Sequence, residues 1–191
     1  MVFKRLQSEV NILPMLKQVA ENWDDFYLNT YRQKNNVAQK ETMHIRLREA
    51  VVIPMPKGIN PACHYLTNWR KRNNDSNETV NTELYDKYTE CVHFLNQFEK
   101  TYGGKIHRVM LVHLCSGGKV YPHIDEGKYY ENKNRFHLAL SGYYDYTVND
   151  ETQRFGAGDL FWFDNKKTHS SVNVTPIPRI SLIFDVEGCT I

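Results

Sequence analysis

The sequence has no continuous apolar run near 18 residues, so no membrane-spanning helix is expected. Residues 1–16 are partly basic but contain no apolar core of signal-peptide length. The four cysteines (Cys63, Cys91, Cys115 and Cys189) lie far apart and form no CxxC pair. Without a signal, they are expected to be free thiols in a reducing, cytoplasmic setting. An excess of one charge is also lacking. A formal net charge of +2 gives no bulk electrostatic case for a nucleic-acid partner. No internal repeat or low-complexity tract is visible.

A chain of 191 residues suits one domain with one sizeable core. Hydrophobic residues at 41% and charged residues at 24% are ordinary globular values and argue against disorder. Aromatics at 13% lean toward strands. Over residues 12–28, Leu13, Leu16, Val19, Ala20 and Trp23 recur at helical spacing and predict a helix on the outside of the fold. Residues 44–47 and 51–55 read as short strands, after which Pro54, Pro56 and Pro61 forbid regular structure. Residues 67–82 are almost wholly polar and read as an exposed loop, with Trp69-Arg70-Lys71-Arg72 as a solvated basic patch. Over residues 84–102, apolar positions three and four apart predict an amphipathic helix ended by Gly103-Gly104.

From Lys105 the period changes to two. Residues 108–115, 137–148, 159–164 and 179–186 read as strands punctuated by glycine, asparagine and proline. The expectation is one mainly β (α+β) domain over 1–191. Residues 1–104 are its helix-rich part with short strands, the helices packing outside the sheet. Residues 105–191 form a sandwich or jelly-roll core.

The chemistry lies in Tyr121-Pro122-His123-Ile124-Asp125-Glu126. On an extended strand, residues i and i+2 share a face, so His123 and Asp125 can bind one ion. By chance roughly 0.4 His-x-Asp pairs are expected in a chain of this composition, so the pair needs corroboration. It comes downstream, where a polar stretch after an apolar strand delivers Thr168-His169-Ser170. A further strand then sets Arg179 and Ser181 on one face against Ile180, Leu182 and Phe184. Two imidazoles and a carboxylate that leave open coordination positions form the ligand set of non-haem iron(II) oxygenases.

The run RVMLVHLCSGGKVYPHID over 108–125, then Arg135-Phe136-His137, His169 and Arg179, resembles the aspartyl/asparaginyl β-hydroxylase family of 2-oxoglutarate oxygenases. That family includes protein hydroxylases and hydroxylases of free proline. The match covers residues 105–186 in the family's order, and the N-terminal third carries no matching motif. The resemblance implies a double-stranded β-helix, a cupin-like jelly-roll barrel, with N-terminal helices on its outside. It implies Fe(II) on His123, Asp125 and His169, and the distal carboxylate of 2-oxoglutarate on Arg179 with Ser181 helping. It also implies that Arg135 and His137 contact the cosubstrate nearer the metal. The activity implied is O2-dependent hydroxylation of an amino-acid side chain, in a protein or free, yielding succinate and CO2, with ascorbate in support. Some family members bind iron through two histidines only. Asp125 sets this chain with the three-ligand members and argues against halogenation.

Two other functions stay open at this point. A nucleobase demethylase uses the same barrel and ligand set, but nothing basic follows Arg179 here. A non-catalytic cupin-like module that holds a metal or small ligand would have no task for Arg179. The expected partner is an amino acid or a protein, neither nucleic acid nor membrane.

Overall fold

The structure, a computed structural model, describes residues 1–29, 31–51 and 77–190. The expected strand beyond residue 51, the proline-rich stretch, the basic patch and Cys63 lie outside these residues.

The chain enters through strand β1 (Phe3–Gln7) and helix α1 (Leu13–Glu21). A proline in the first turn suits α1, because that position needs no N–H bond. The helix expected to run to residue 28 stops earlier and continues as a 3-10 turn, Trp23–Tyr27. Its apolar side chains still reach the core through Met15, Val19 and Phe26. After α2 (Tyr31–Asn35) and a 3-10 turn at Val37–Gln39 come β2 (Thr42–Ala50) and β3 (Thr79–Asn81). Helix α3 (Thr89–Tyr102) begins five residues later than its apolar spacing suggested. The preceding stretch folds as i→i+3 turns, with Tyr85 and Lys87 donating to Thr82 and Leu84. Cys91, Leu95 and Phe98 form the buried stripe of α3. Its end is set by Gly103 (φ 72) and Gly104 (φ 85). A Cβ on Gly104 would stand 2.6 Å from the Glu187 carbonyl, so only glycine fits there.

Eight strands follow: β4 (Lys105–Leu114), β5 (Lys119–His123), β6 (Lys133–Ser141), β7 (Tyr143–Val148), β8 (Glu151–Gly156), β9 (Leu160–Phe163), β10 (His169–Asn173) and β11 (Arg179–Glu187). They form two antiparallel sheets. One has the order β1-β9-β6-β11-β4-β2-β3 and the other β5-β10-β7-β8. From β4 onward the chain passes back and forth between the sheets, which is the winding of a double-stranded β-helix. The single strand expected over 137–148 is in fact β6 and β7. Gly142, at φ 77, breaks it and sends the chain from one sheet to the other. Strands β1, β8 and β10 were not foreseen as separate elements. The N-terminal part does more than lay helices on the barrel, since β1 pairs with β9 and β2 with β4.

Two cores result. Outside the large sheet, α1, α3 and the 3-10 turn pack Val19, Phe26, Leu95 and Phe98 on Leu111, Leu182 and Phe184. Between the sheets, Phe3, Tyr144, Phe155 and Phe161 form the barrel interior, where Phe155 and Phe161 stack 3.6 Å apart. Each such buried ring contributes roughly 1.5–3 kcal/mol from area alone. Cys91, Cys115 and Cys189 are free thiols. Among the described residues no helix is long and apolar enough to cross a membrane.

Candidate active site

Strands β5 and β10 pair in a register that makes His123 and His169 direct cross-strand partners. Two imidazoles far apart in sequence therefore stand side by side, ring centroids 4.3 Å apart. Asp125 arrives differently from expectation. β5 ends at His123, so the two residues do not share a strand face. Asp125 sits past the strand end, where its N–H donates to the Asn165 carbonyl at 3.0 Å. The outcome is nonetheless convergent, because one ligand atom from each of His123, Asp125 and His169 lies within 4.8 Å of the others.

Backbone carbonyls set the imidazole tautomers. Nδ1 of His123 lies 2.8 Å from the Tyr121 carbonyl, and Nδ1 of His169 lies 2.9 Å from that of Lys167. A carbonyl only accepts, so each Nδ1 carries the proton and each Nε2 keeps its lone pair for a cation. Burial pushes the His169 pKa down to about 4, against the pull of Asp125. At neutral pH this ring is therefore the neutral donor a metal requires.

Burial pushes the Asp125 carboxyl up. The Arg135 guanidinium, His169 and a hydrogen bond from Asn165 outweigh it and hold the pKa below the ordinary value. Arg135 Nη1 donates to Asp125 Oδ2 at 2.5 Å, and Asn165 Nδ2 donates to the same oxygen at 3.0 Å. The same Oδ2 lies 3.9 Å from His169 Nε2. Two imidazoles and an ionised carboxylate at these separations fit a divalent transition metal.

Arg135 departs from the role the resemblance implied. Its Nε and Nη2 donate in a fork to Asp185, at 2.8 and 3.0 Å, from the facing position on β11. Nη2 also points at the Tyr130 hydroxyl, 3.4 Å away. Four of its five N–H groups thus meet protein oxygens, and its charge is answered by Asp125 and Asp185. Arg135 is thus held by Asp125 and Asp185 rather than left open to an outside carboxylate. Tyr129 is fully buried and donates to Asp185 Oδ2 at 3.0 Å.

Arg179 is the opposite case. It is 1% exposed, and among the described residues no carboxylate pairs with it. Asp185, the natural alternative partner, is taken by Arg135. Nη1 of Arg179 donates to Ser171 Oγ at 2.8 Å, and the guanidinium lies over the rings of Tyr144 and Tyr146, 4.7 and 6.0 Å from their centroids. Its Nε is buried without a partner. Ser181 does not reach the cavity. Its hydroxyl bonds that of Tyr144 at 3.1 Å, so it steadies the ring beneath Arg179. His137 is buried among Tyr146, Phe161 and Phe163, with the Tyr146 hydroxyl 3.4 Å from its Nδ1. His113, by contrast, faces the helices against Trp23 and Phe26.

One cavity between the sheets is lined by His123, His169, Arg135, His137 and Arg179 together. Tyr144, Tyr146, Ser171, Asn165 and Gln39 escaped sequence reading. The alternation of Tyr144 and Tyr146 on β7 was a usable signal for the first two. Asn165 and Gln39 left none, since each reaches the site from a loop or a turn.

The model of the family described as aspartyl/asparaginyl beta-hydroxylase matches residues 3–188. No curated protein matches the chain. Solved structures similar to it include a predicted oxalate decarboxylase from Thermotoga maritima (20% identity, TM-score 0.37, covering 44% of this chain and 68% of that one). The cupin domain of Cnp3 from Schizosaccharomyces pombe is another (15%, 0.37, covering 42% and 55%). A third is a conserved protein with a double-stranded β-helix domain from Klebsiella pneumoniae (21%, 0.36, covering 42% and 63%). The chain thus spans little more than half to two thirds of these proteins' lengths.

Proposed function

The chain belongs to the aspartyl/asparaginyl beta-hydroxylase family, and we propose that it is an Fe(II)- and 2-oxoglutarate-dependent dioxygenase that hydroxylates an amino-acid side chain, in a protein or as a free amino acid. One observation carries this reading. His123, Asp125 and His169 converge within 4.8 Å, and the two histidines line a cavity whose wall also holds Arg179, buried without a carboxylate partner among the described residues. A buried guanidinium without an anion is costly, and an organic diacid fits a cavity with a cation at one place and a guanidinium at another.

In this reading iron, when bound to His123, Asp125 and His169, supplies the activation of O2 that no side chain can provide. The chain's own residues do the rest. Arg179 binds the distal carboxylate of 2-oxoglutarate, with Ser171 and the Tyr144 ring fixing its approach. Arg135 and Asn165 keep Asp125 ionised and turned toward the metal. The rings of Phe163, Tyr146 and His137 exclude water. Atoms balance when one oxygen of O2 enters the product hydroxyl, the other enters succinate, and the cosubstrate carboxyl leaves as CO2. Purified protein given Fe(II), ascorbate and 2-oxoglutarate should release succinate slowly even without a prime substrate. An absence of succinate, with no difference on His169→Ala, would leave a ligand-holding module as the better description.

A further inference from the structure

We infer, resting on the ligand assignment above, that Tyr129 is a positioning residue for the metal carboxylate: its hydroxyl closes a ring of bonds, through Asp185 and Arg135, that holds the segment carrying Asp125 against the barrel. The need for such a hold follows from where Asp125 stands. β5 ends at His123, so no cross-strand ladder fixes the residue two positions on. One backbone bond, from its N–H to the Asn165 carbonyl at 3.0 Å, ties it to the turn after β9. Side chains supply the rest.

Those side chains form a closed path. Asp185 faces Arg135 across the pairing of β6 with β11 and accepts from its Nε and Nη2, which leaves Nη1 to meet Asp125. Beyond Asp125 the chain turns back through a 3-10 turn, Lys128–Tyr130, in which the Tyr130 N–H donates to the Gly127 carbonyl at 3.0 Å. This turn delivers Tyr129. Its hydroxyl donates to Asp185 Oδ2 at 3.0 Å, the oxygen that also accepts from Arg135 Nη2. Asp125 and Tyr129, near neighbours in the chain, are thus anchored on the two members of one arginine–aspartate pair. Burial, then the Asp185 charge, pushes the phenol pKa up, so the hydroxyl keeps the proton it donates.

The ring is itself firmly seated. The Arg108 N–H donates to its hydroxyl at 3.2 Å. The Arg108 guanidinium and the Lys133 ammonium lie over the ring, 3.6 and 4.6 Å from its centroid. Lys133 is 2% exposed and donates to Asn77 Oδ1 and Asn132 Oδ1 at 3.0 Å each. Buried polar groups joined in this way restrain one another more than separate pairs do. Tyr129, Asp185, Arg108 and Lys133 do not line the cavity, so Tyr129 acts on the metal through Asp185, Arg135 and Asp125.

The test is a double-mutant cycle, read by titrating Co(II) into metal-free protein and following visible absorption. Tyr129→Phe keeps the ring under its two cations and removes only the hydroxyl. It is expected to weaken Co(II) binding about tenfold. In Asp125→Ala protein, where two imidazoles remain, the same change should alter Co(II) affinity by less than about twofold. Asp185→Asn opens the ring of bonds from its other side and should give a loss of similar size, so the inference stays testable if Tyr129→Phe does not fold. Wild-type Co(II) affinity in either variant, or an equal loss with and without Asp125, overturns the inference and makes Tyr129 a general support of the fold. Wild-type protein that takes up no Co(II) would instead overturn the ligand assignment on which the inference rests.

Discussion

The two guanidiniums of the cavity stand in the same barrel and are both buried, yet they are built to opposite ends. Arg135 is enclosed by carboxylates, with Asp185 gripped in a fork and Asp125 beside it. Arg179 rests on a hydroxyl and two aromatic faces, with no anion among the described residues. The first closes a charge network within the protein, so its task is to orient. The second has a charge that no carboxylate among the described residues answers, and this is why we propose that its task is to bind. A buried arginine is thus informative about function only once its counter-charge has been traced.

Breaking the metal end should give the largest effect. His169→Ala removes one of three ligands, and turnover should fall by at least about a hundredfold. Metal retained after gel filtration should fall with it, as measured by elemental analysis. A variant that keeps full metal content would remove His169 from the ligand set.

Next in size is the closed network itself. Asp185→Ala leaves Arg135 half answered and takes the acceptor from Tyr129. Breaking a buried pair from one side costs about 3–5 kcal/mol, to be read from urea unfolding. A loss under about 1 kcal/mol, the size of an exposed pair, would mean that Arg135 finds water instead.

The open end should respond in binding rather than in stability. Arg179→Ala should weaken 2-oxoglutarate binding tenfold or more, since charged hydrogen bonds contribute roughly 1.5–3 kcal/mol each. Arg179→Lys should fall between, keeping the charge and losing the fork. Titration of Mn(II)-loaded protein distinguishes these outcomes, and wild-type affinity in Arg179→Ala would place the diacid elsewhere. Asn165→Ala removes one hydrogen bond to Asp125 and should cost about tenfold in metal affinity.

The smallest effect lies outside the cavity. Burial, then the charge of Arg179, lowers the His113 pKa below its ordinary value. As pH falls through about 6.5, the unfolded chain takes up this proton before the folded one does, so stability drops on the acid side. His113→Phe, packing on Trp23 and Phe26, should flatten the fall in urea midpoint between neutral pH and pH 5. An unchanged slope would assign the acid sensitivity to other groups.

Much of this molecule could be read before folding was considered. Period-two runs marked most barrel strands, and helical spacing marked α1 and α3, because burial on one face imposes a local pattern. His123, Asp125, His169 and Arg179 also stood out, as a His-x-Asp pair followed in order by a histidine and a strand arginine. Boundaries were less legible. Gly142 turns one apparent strand into two that lie in different sheets, and residues 84–88 keep helical spacing while forming turns. The contribution of β1 and β2 to the large sheet was hidden too, because edge pairing depends on a distant strand.

The sequence alone determined which side chains could bind a metal and a diacid, since donor chemistry belongs to residue type. Tertiary structure alone decided that His123 meets His169 across one rung and that Asp125 arrives from beyond the strand end. It also decided which arginine is paired with carboxylates and which is left without one among the described residues. Register and counter-charge are relations between strands remote in the chain, and no local pattern of residues encodes them.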